Sequence, residues 1–219
     1  MPTALTFTSL QEDLRRYLER GEVADTTVYE QLPRLINNAE REIAQDLKIL
    51  GFIDPMISTL VAGTSVYAKP DRWRQTVSMN YGIVGQDLLQ QNKRKQLYTR
   101  SYEYIRQYWP DSDVLGVPRF YADYSYTHWV IAPTPVINYP WEVVCWQLPA
   151  LLDNINQTNW LTDYAPTTLL YRCLLECEPF LKNDQRIPTW KGMYDTSKQT
   201  LNVQDLRRIA DRNTSRESN

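Results

Sequence analysis

The sequence predicts an α+β fold in which helices at both ends of the chain flank a small antiparallel β-region. Three observations carry this. Apolar residues recur at helical spacing over residues 9–50 and again over 166–210, while the middle of the chain holds short runs of β-formers separated by Gly- and Pro-bearing turns. At 219 residues the chain is also long enough to bury a substantial core.

Ser9-Leu10-Gln11-Glu12 has the spacing of a capping box, and Leu10, Leu14, Tyr17 and Leu18 share one helical face before Gly21 stops the helix. A second box, Thr27-Val28-Tyr29-Glu30, opens a stripe of Val28, Leu32, Leu35, Ile36, Ala39, Ile43, Leu47 and Leu50 that ends at Gly51. The stripe predicts one helix of about 23 residues, with Pro33 delaying or kinking its first turns. Its other face, with Arg34, Glu40, Arg41, Glu42, Gln45 and Lys48, is expected to stay wet.

After Asp54-Pro55 the pattern changes to strands over 56–61, 65–68 and 75–79, punctuated by Ala62-Gly63-Thr64 and Lys69-Pro70-Asp71. Residues 85–100 are polar and basic and carry no clear element, and Ser101 to Tyr108 makes two helical turns that Pro110 ends. Strands over 118–126, 127–132 and 139–146 complete the sheet. Pro166, at a first helical position, opens a wide apolar stripe of Leu169, Leu170, Cys173, Leu174, Cys177, Phe180 and Leu181, expected to be the most buried helix. Ile187, Trp190, Tyr194, Ser197 and Leu201 then alternate in steps of three and four, with Leu206, Ile209 and Ala210 beyond. The expected organisation is N-terminal helices over 1–51, a β-rich insertion over 52–148, C-terminal helices over 149–210 and a flexible polar tail over 211–219.

Chemistry is sparse. His128 is the single histidine, so sites built on paired imidazoles have nothing to work with. Cys173 and Cys177 lie four apart on one helical face, with Cys145 as a third thiol, but without a CxxC turn they read as core residues. Asp111 with Asp113, Glu176 with Glu178, Asp153 and Asp184 read as solvated charge. Phosphate-binding and nucleophile-elbow motifs are absent. No enzyme, cofactor or metal is therefore expected. Lys93-Arg94-Lys95, followed by Tyr98, Arg100, Tyr102 and Tyr104, mixes charge with aromatics as single-strand binders do, but Tyr102 and Ile105 fit a packed helical face just as well, and a solvated or partner-facing loop is the preferred reading. Twenty-four basic against 26 acidic residues give a net charge of -2, which does not recommend nucleic acid as the main partner. Seven Trp and 15 Tyr favour an interface protein. Without a signal-like N-terminus or an apolar run of membrane-spanning length, the chain is expected to be soluble, made in a cytoplasm and free of membrane contact.

The run Leu148-Pro149-Ala150-Leu151-Leu152-Asp153, then Thr158-Asn159-Trp160-Leu161, Ala165-Pro166, Leu169-Leu170-Tyr171 and Leu174-Leu175-Glu176, resembles the C-terminal half of tailed-phage head-to-tail adaptor proteins. Asn38 to Leu47 looks like their long first-domain helix, and Gly116 to Tyr121 with Ile131 to Pro135 looks like their sheet. The resemblance covers roughly residues 28–195. It implies an antiparallel helical bundle with an inserted β-region and a dodecameric homo-oligomeric ring between portal and tail, in the neck of the virion. It also implies a channel that the genomic DNA contacts passively and a C-terminal segment docking on the portal protein. Tyr194, Leu201, Leu206, Arg207, Arg208 and Ile209 are the portal-interface candidates in that segment. The rival readings are another neck or tail-completion subunit, or a DNA-binding module using residues 93–106.

Overall fold

The computed structural model describes residues 5–20, 24–47, 50–82, 94–180 and 185–214, and of the helical side chains those up to Gln204. The chain divides into two compact units, Met1–Phe52 with Leu148–Asn219, and Ile53–Gln147. Its helices are α1 (Phe7–Leu18), α2 (Thr26–Tyr29), α3 (Leu32–Asp46), α4 (Tyr102–Tyr108), α5 (Trp160–Tyr164), α6 (Pro166–Glu176) and α7 (Ile187–Thr214). Its strands are β1 (Ile53–Leu60), β2 (Val66–Ala68), β3 (Trp73–Tyr81), β4 (Lys95–Thr99), β5 (Leu115–Gly116), β6 (Phe120–Asp123), β7 (His128–Ala132), β8 (Thr134–Pro135) and β9 (Tyr139–Gln147).

In the first unit α1, α3, α5 and α7 all pack on α6. Leu10, Leu14 and Leu18 of α1 are buried, as are Leu32, Leu35, Ile36, Ala39 and Ile43 of α3, at about 1.5–3 kcal/mol for each large aliphatic side chain. Four details depart from expectation. The N-cap of α1 is Thr6, whose side chain accepts the Ser9 N–H while Ser9 answers the Thr6 N–H, so the helix starts before Ser9 rather than at it. Its C-cap is Glu19, in a left-handed conformation at φ 54, ahead of Gly21, which lies outside the described residues. The single long helix is two, because Pro33 lacks an N–H and is accommodated only in the first turn of a helix, where it opens α3. Glu40, placed by the periodicity on the wet face, is fully buried.

The second unit is a seven-stranded sheet in the order β1-β9-β3-β4-β6-β7-β2, beside a two-stranded β5-β8 ladder. Neighbours in the large sheet run antiparallel except β4 and β6, which are parallel with Tyr98 opposite Phe120. Bulges shift the β3–β9 register between Trp73 and Gln75 and between Thr76 and Ser78. They explain why Trp73, Met79 and Tyr81 are buried while Val77 is exposed, which strict alternation forbids. Trp129 of β7 and Trp141 of β9 stand four places apart in the sheet, about 19 Å if it were flat. Their rings nevertheless meet edge to face at 5.7 Å. The sheet is therefore strongly curled, and its concave face is a core that also holds Leu60, Leu97, Tyr121, Ile131 and Val143. α4 covers part of the convex face, with Ile105 on Ala122 and Ala132.

These facts overturn the predicted fold class. The chain is mixed α/β with 26% of it in strands, and its β-region is a large curled sheet with a parallel junction, not a small antiparallel insert in a helical bundle. The underestimate has a physical source. β4 lies in the stretch read as merely polar and basic, because Leu97 alone among its residues is buried. One inward residue produces no alternation to detect.

Candidate functional site

The portal-interface candidates lie on α7, which packs on α6. The covered positions of α7 are Trp190 and Tyr194, with Ile187, Ser197, Lys198 and Leu201 half-buried and Lys191, Asp195, Thr196 and Gln199 exposed between them. Tyr194 is 4% exposed and is an anchor rather than a free surface group. Its hydroxyl donates to Asp46 Oδ2 of α3 at 3.0 Å, Lys198 Nζ reaches the same oxygen at 2.7 Å, and the Arg172 guanidinium lies over the ring at 5.7 Å. Partial burial works to raise the Asp46 carboxyl, but the bonds from Lys198 and Tyr194 outweigh it and hold the group below the usual carboxylate range. Burial and the neighbouring carboxylate push the Tyr194 phenol up. Leu201 is half-buried, and after it Asn202, Val203 and Gln204 are exposed. Leu206, Arg207, Arg208 and Ile209 belong to the helical backbone of α7, but their side chains lie outside the described residues. The helix continues to Thr214, four residues into the stretch read as a polar tail.

The basic and aromatic segment is split by the fold. Lys93 lies outside the described residues. Arg94 turns to Glu142 of β9, its Nη1 donating to both carboxylate oxygens at 2.9 and 2.8 Å, with the Glu142 side chain only 11% exposed. Tyr102 accepts from Arg106 Nε at 2.7 Å and meets the Tyr124 ring at a tilt of 55°, while Tyr104 packs on Phe120 and Tyr108. Lys95, Tyr98 and Arg100 remain on the surface and line an open groove with Tyr81, Arg119 and Phe120. Arg119 and Phe120 enter because the parallel pairing brings β6 beside β4, with Tyr98 N–H donating to the Arg119 carbonyl at 2.9 Å. No local spacing announces that pairing.

Cys145, Cys173 and Cys177 are buried free thiols; burial pushes Cys173 well up and Cys177 to about 12, so both stay protonated near neutrality. His128 Nδ1 shares a 2.9 Å hydrogen bond with Thr127 Oγ1 in the β6–β7 turn. Asp153 accepts the N–H groups of Ile155 and Asn156 at 2.7 and 2.6 Å, which hold its carboxyl below the ordinary range. Glu176 pairs with Arg172 at 2.6 Å, Asp111, Asp113 and Glu178 are exposed, and Asp184 lies outside the described residues. Among the described residues no cluster of three or more His, Cys, Asp or Glu is placed to hold a metal ion, and no helix is long and apolar enough to cross a membrane.

No curated protein matches the chain. The family model described as SU10 adaptor protein matches residues 5–217, through both units and the whole described length of α7. What the two units carry, a long C-terminal helix anchored on its own unit and a curled sheet with an open cationic groove, thus belongs to a member of the SU10 adaptor protein family, a family of phage head-to-tail adaptors.

Proposed function

We propose that the chain is a non-enzymatic connector subunit in the neck of a tailed phage, assembling as a ring, dodecameric in its closed form, between the portal and the tail proteins. The observation that carries this reading is the family match over residues 5–217. A ring subunit needs two different, complementary side surfaces for head-to-tail closure. The exposed aromatics Tyr98, Tyr108, Tyr124, Tyr126 and Tyr164 suit such surfaces. The genome channel runs through the ring, and a net charge of -2 per subunit lets DNA pass with little phosphate binding to multiply around it.

The portal contact is assigned to α7 beyond its anchor. At 28 residues the helix is about 42 Å long, and Asn202 to Gln204 are uncovered by their own unit. Leu201 and the Leu206–Ile209 segment are the contact; Tyr194 holds the helix that presents them. The test is negative-stain imaging of the chain mixed with purified portal rings. Decorated rings are expected with the full chain and bare rings with a chain cut after Leu201 that keeps its helical circular dichroism. A chain that stays monomeric and never decorates a portal refutes the reading, and normal docking by the truncation moves the contact elsewhere.

A further inference from the structure

The groove along β4 sets exposed Tyr98 beside cations that the adaptor reading leaves unused. Among the described residues its cations Lys95, Arg100 and Arg119 form no ion pair with a carboxylate, unlike Arg94 beside them, and no carboxylate lines the groove. Glu142, a largely buried carboxylate of β9, is already held by Arg94 through both oxygens. Lys95 opens β4 and Arg100 lies just past its end, a backbone span of about 16 Å, and both line the groove. Tyr98, 57% exposed, projects between them.

Two kinds of anionic occupant fit a row of cations, and the aromatic rings discriminate between them. Single-stranded nucleic acid is held by successive bases stacking on successive rings. Among the described aromatic rings that line it, Tyr98 alone offers an open face. Phe120 is covered by Arg100 at 5.3 Å, Trp109 at 5.5 Å and Tyr104 at 5.9 Å, and Tyr81 is 5% exposed and packed on Tyr139. Three phosphate contacts without a stacking ladder leave only weak, salt-sensitive attraction. Carboxylates need no ladder, and Arg with Tyr is the composition of protein hot spots.

We propose that this groove docks an extended acidic segment of a neighbouring protein, its carboxylates paired with Lys95, Arg100 and Arg119 and an apolar or aromatic side chain laid on Tyr98. The proposal rests on the adaptor reading for the kind of neighbour, another protein of the particle, and on charge complementarity for the chemistry of the segment.

The test titrates the full chain, by fluorescence anisotropy, with a labelled peptide of alternating Asp and Tyr, its Asn/Tyr counterpart and a thymidine oligonucleotide of equal charge. The acidic peptide is expected to bind about tenfold or more tightly than either control. The double variant Lys95→Glu with Arg119→Glu should lose that preference, whereas Arg34→Glu on the exposed face of α3 should keep it. Neither change removes a core contact, and thermal melts verify the fold. Equal binding by wild type and the double variant overturns the proposal, as does oligonucleotide binding as tight as the peptide's and lost in the same variant. A wild-type chain that decorates portals but ignores the peptide refutes the groove alone. One that binds the peptide and never decorates a portal refutes the connector reading alone.

Discussion

Glu40 on α3 and Leu152, separated by 112 positions, are joined by a buried hydrogen bond in which Glu40 Oε2 accepts the Leu152 backbone N–H at 3.0 Å. The other oxygen, Oε1, accepts the Asn159 amide at 2.5 Å, and Asn159 Oδ1 in turn caps α5 by accepting the N–H groups of Leu161 and Thr162. One carboxyl thus organises the connection from β9 to α5. Burial raises it to about 7, against the pull of the Leu152 and Asn159 hydrogen bonds and the charge of Arg41. Because the folded value exceeds the ordinary 4.5, the folded chain keeps this proton where the unfolded chain releases it. The stabilisation is complete below 4.5 and is lost as pH rises through 7, amounting to about 3 kcal/mol by the conversion of 1.36 kcal/mol per pKa unit. Urea midpoints should therefore fall more steeply between pH 5 and 8 in the wild type than in Glu40→Gln. Parallel profiles would exclude Glu40 as the source.

Thr76 Oγ1 accepts two indole N–H groups, from Trp73 at 3.2 Å and from Trp129 at 3.0 Å. Thr76→Val keeps the shape and strands both donors, one of them on a fully buried ring. The expected loss is about 2 kcal/mol in urea unfolding followed by Trp fluorescence. A change under about 0.5 kcal/mol would mean that the indoles find other partners.

Gly51 lies so close to the Trp160 indole that an added Cβ overlaps the ring. Trp160 cannot simply yield, since it also packs on Phe52 at 5.5 Å and stacks on Tyr164 at 5.6 Å. Gly51→Ala should cost about 1–3 kcal/mol and alter the near-ultraviolet circular dichroism of this aromatic group. An unchanged spectrum and midpoint would refute the close approach.

Tyr194→Phe removes the hydroxyl but leaves the ring against Arg172 and the Lys198–Asp46 pair in place. About 1 kcal/mol of stability should be lost, read as a lower thermal midpoint, with portal decoration retained. Decoration lost at full stability would make Tyr194 a contact residue instead.

Legibility followed periodicity. Leu10, Leu14 and Leu18, with Trp190 and Tyr194, are covered where the helical spacing puts them, and Ile187 and Leu201 are half-buried on the same stripe, since an amphipathic stripe records its own burial. Glu40 broke that rule because its partners come from a loop more than a hundred residues away, and no spacing on α3 reports them. β3 was seen but its inward face was not, since two bulges reset the alternation between Trp73 and Ser78. Of the groove, Lys95, Tyr98 and Arg100 were visible as a basic and aromatic run. Arg119 and Phe120 were not, because strand pairing is a long-range fact.

The pairing of Ile53 with Trp146 places the first and last strands of the insertion side by side. Once the sheet has formed, the two segments of the helical unit are linked by a gap of roughly one strand spacing, about 5 Å, rather than by a long flexible loop. The loop-closure entropy that would otherwise oppose α3 meeting α6 is then already met within the sheet. The same geometry makes residues 53–147 a cassette that a short turn could replace, leaving the helical unit to be studied alone.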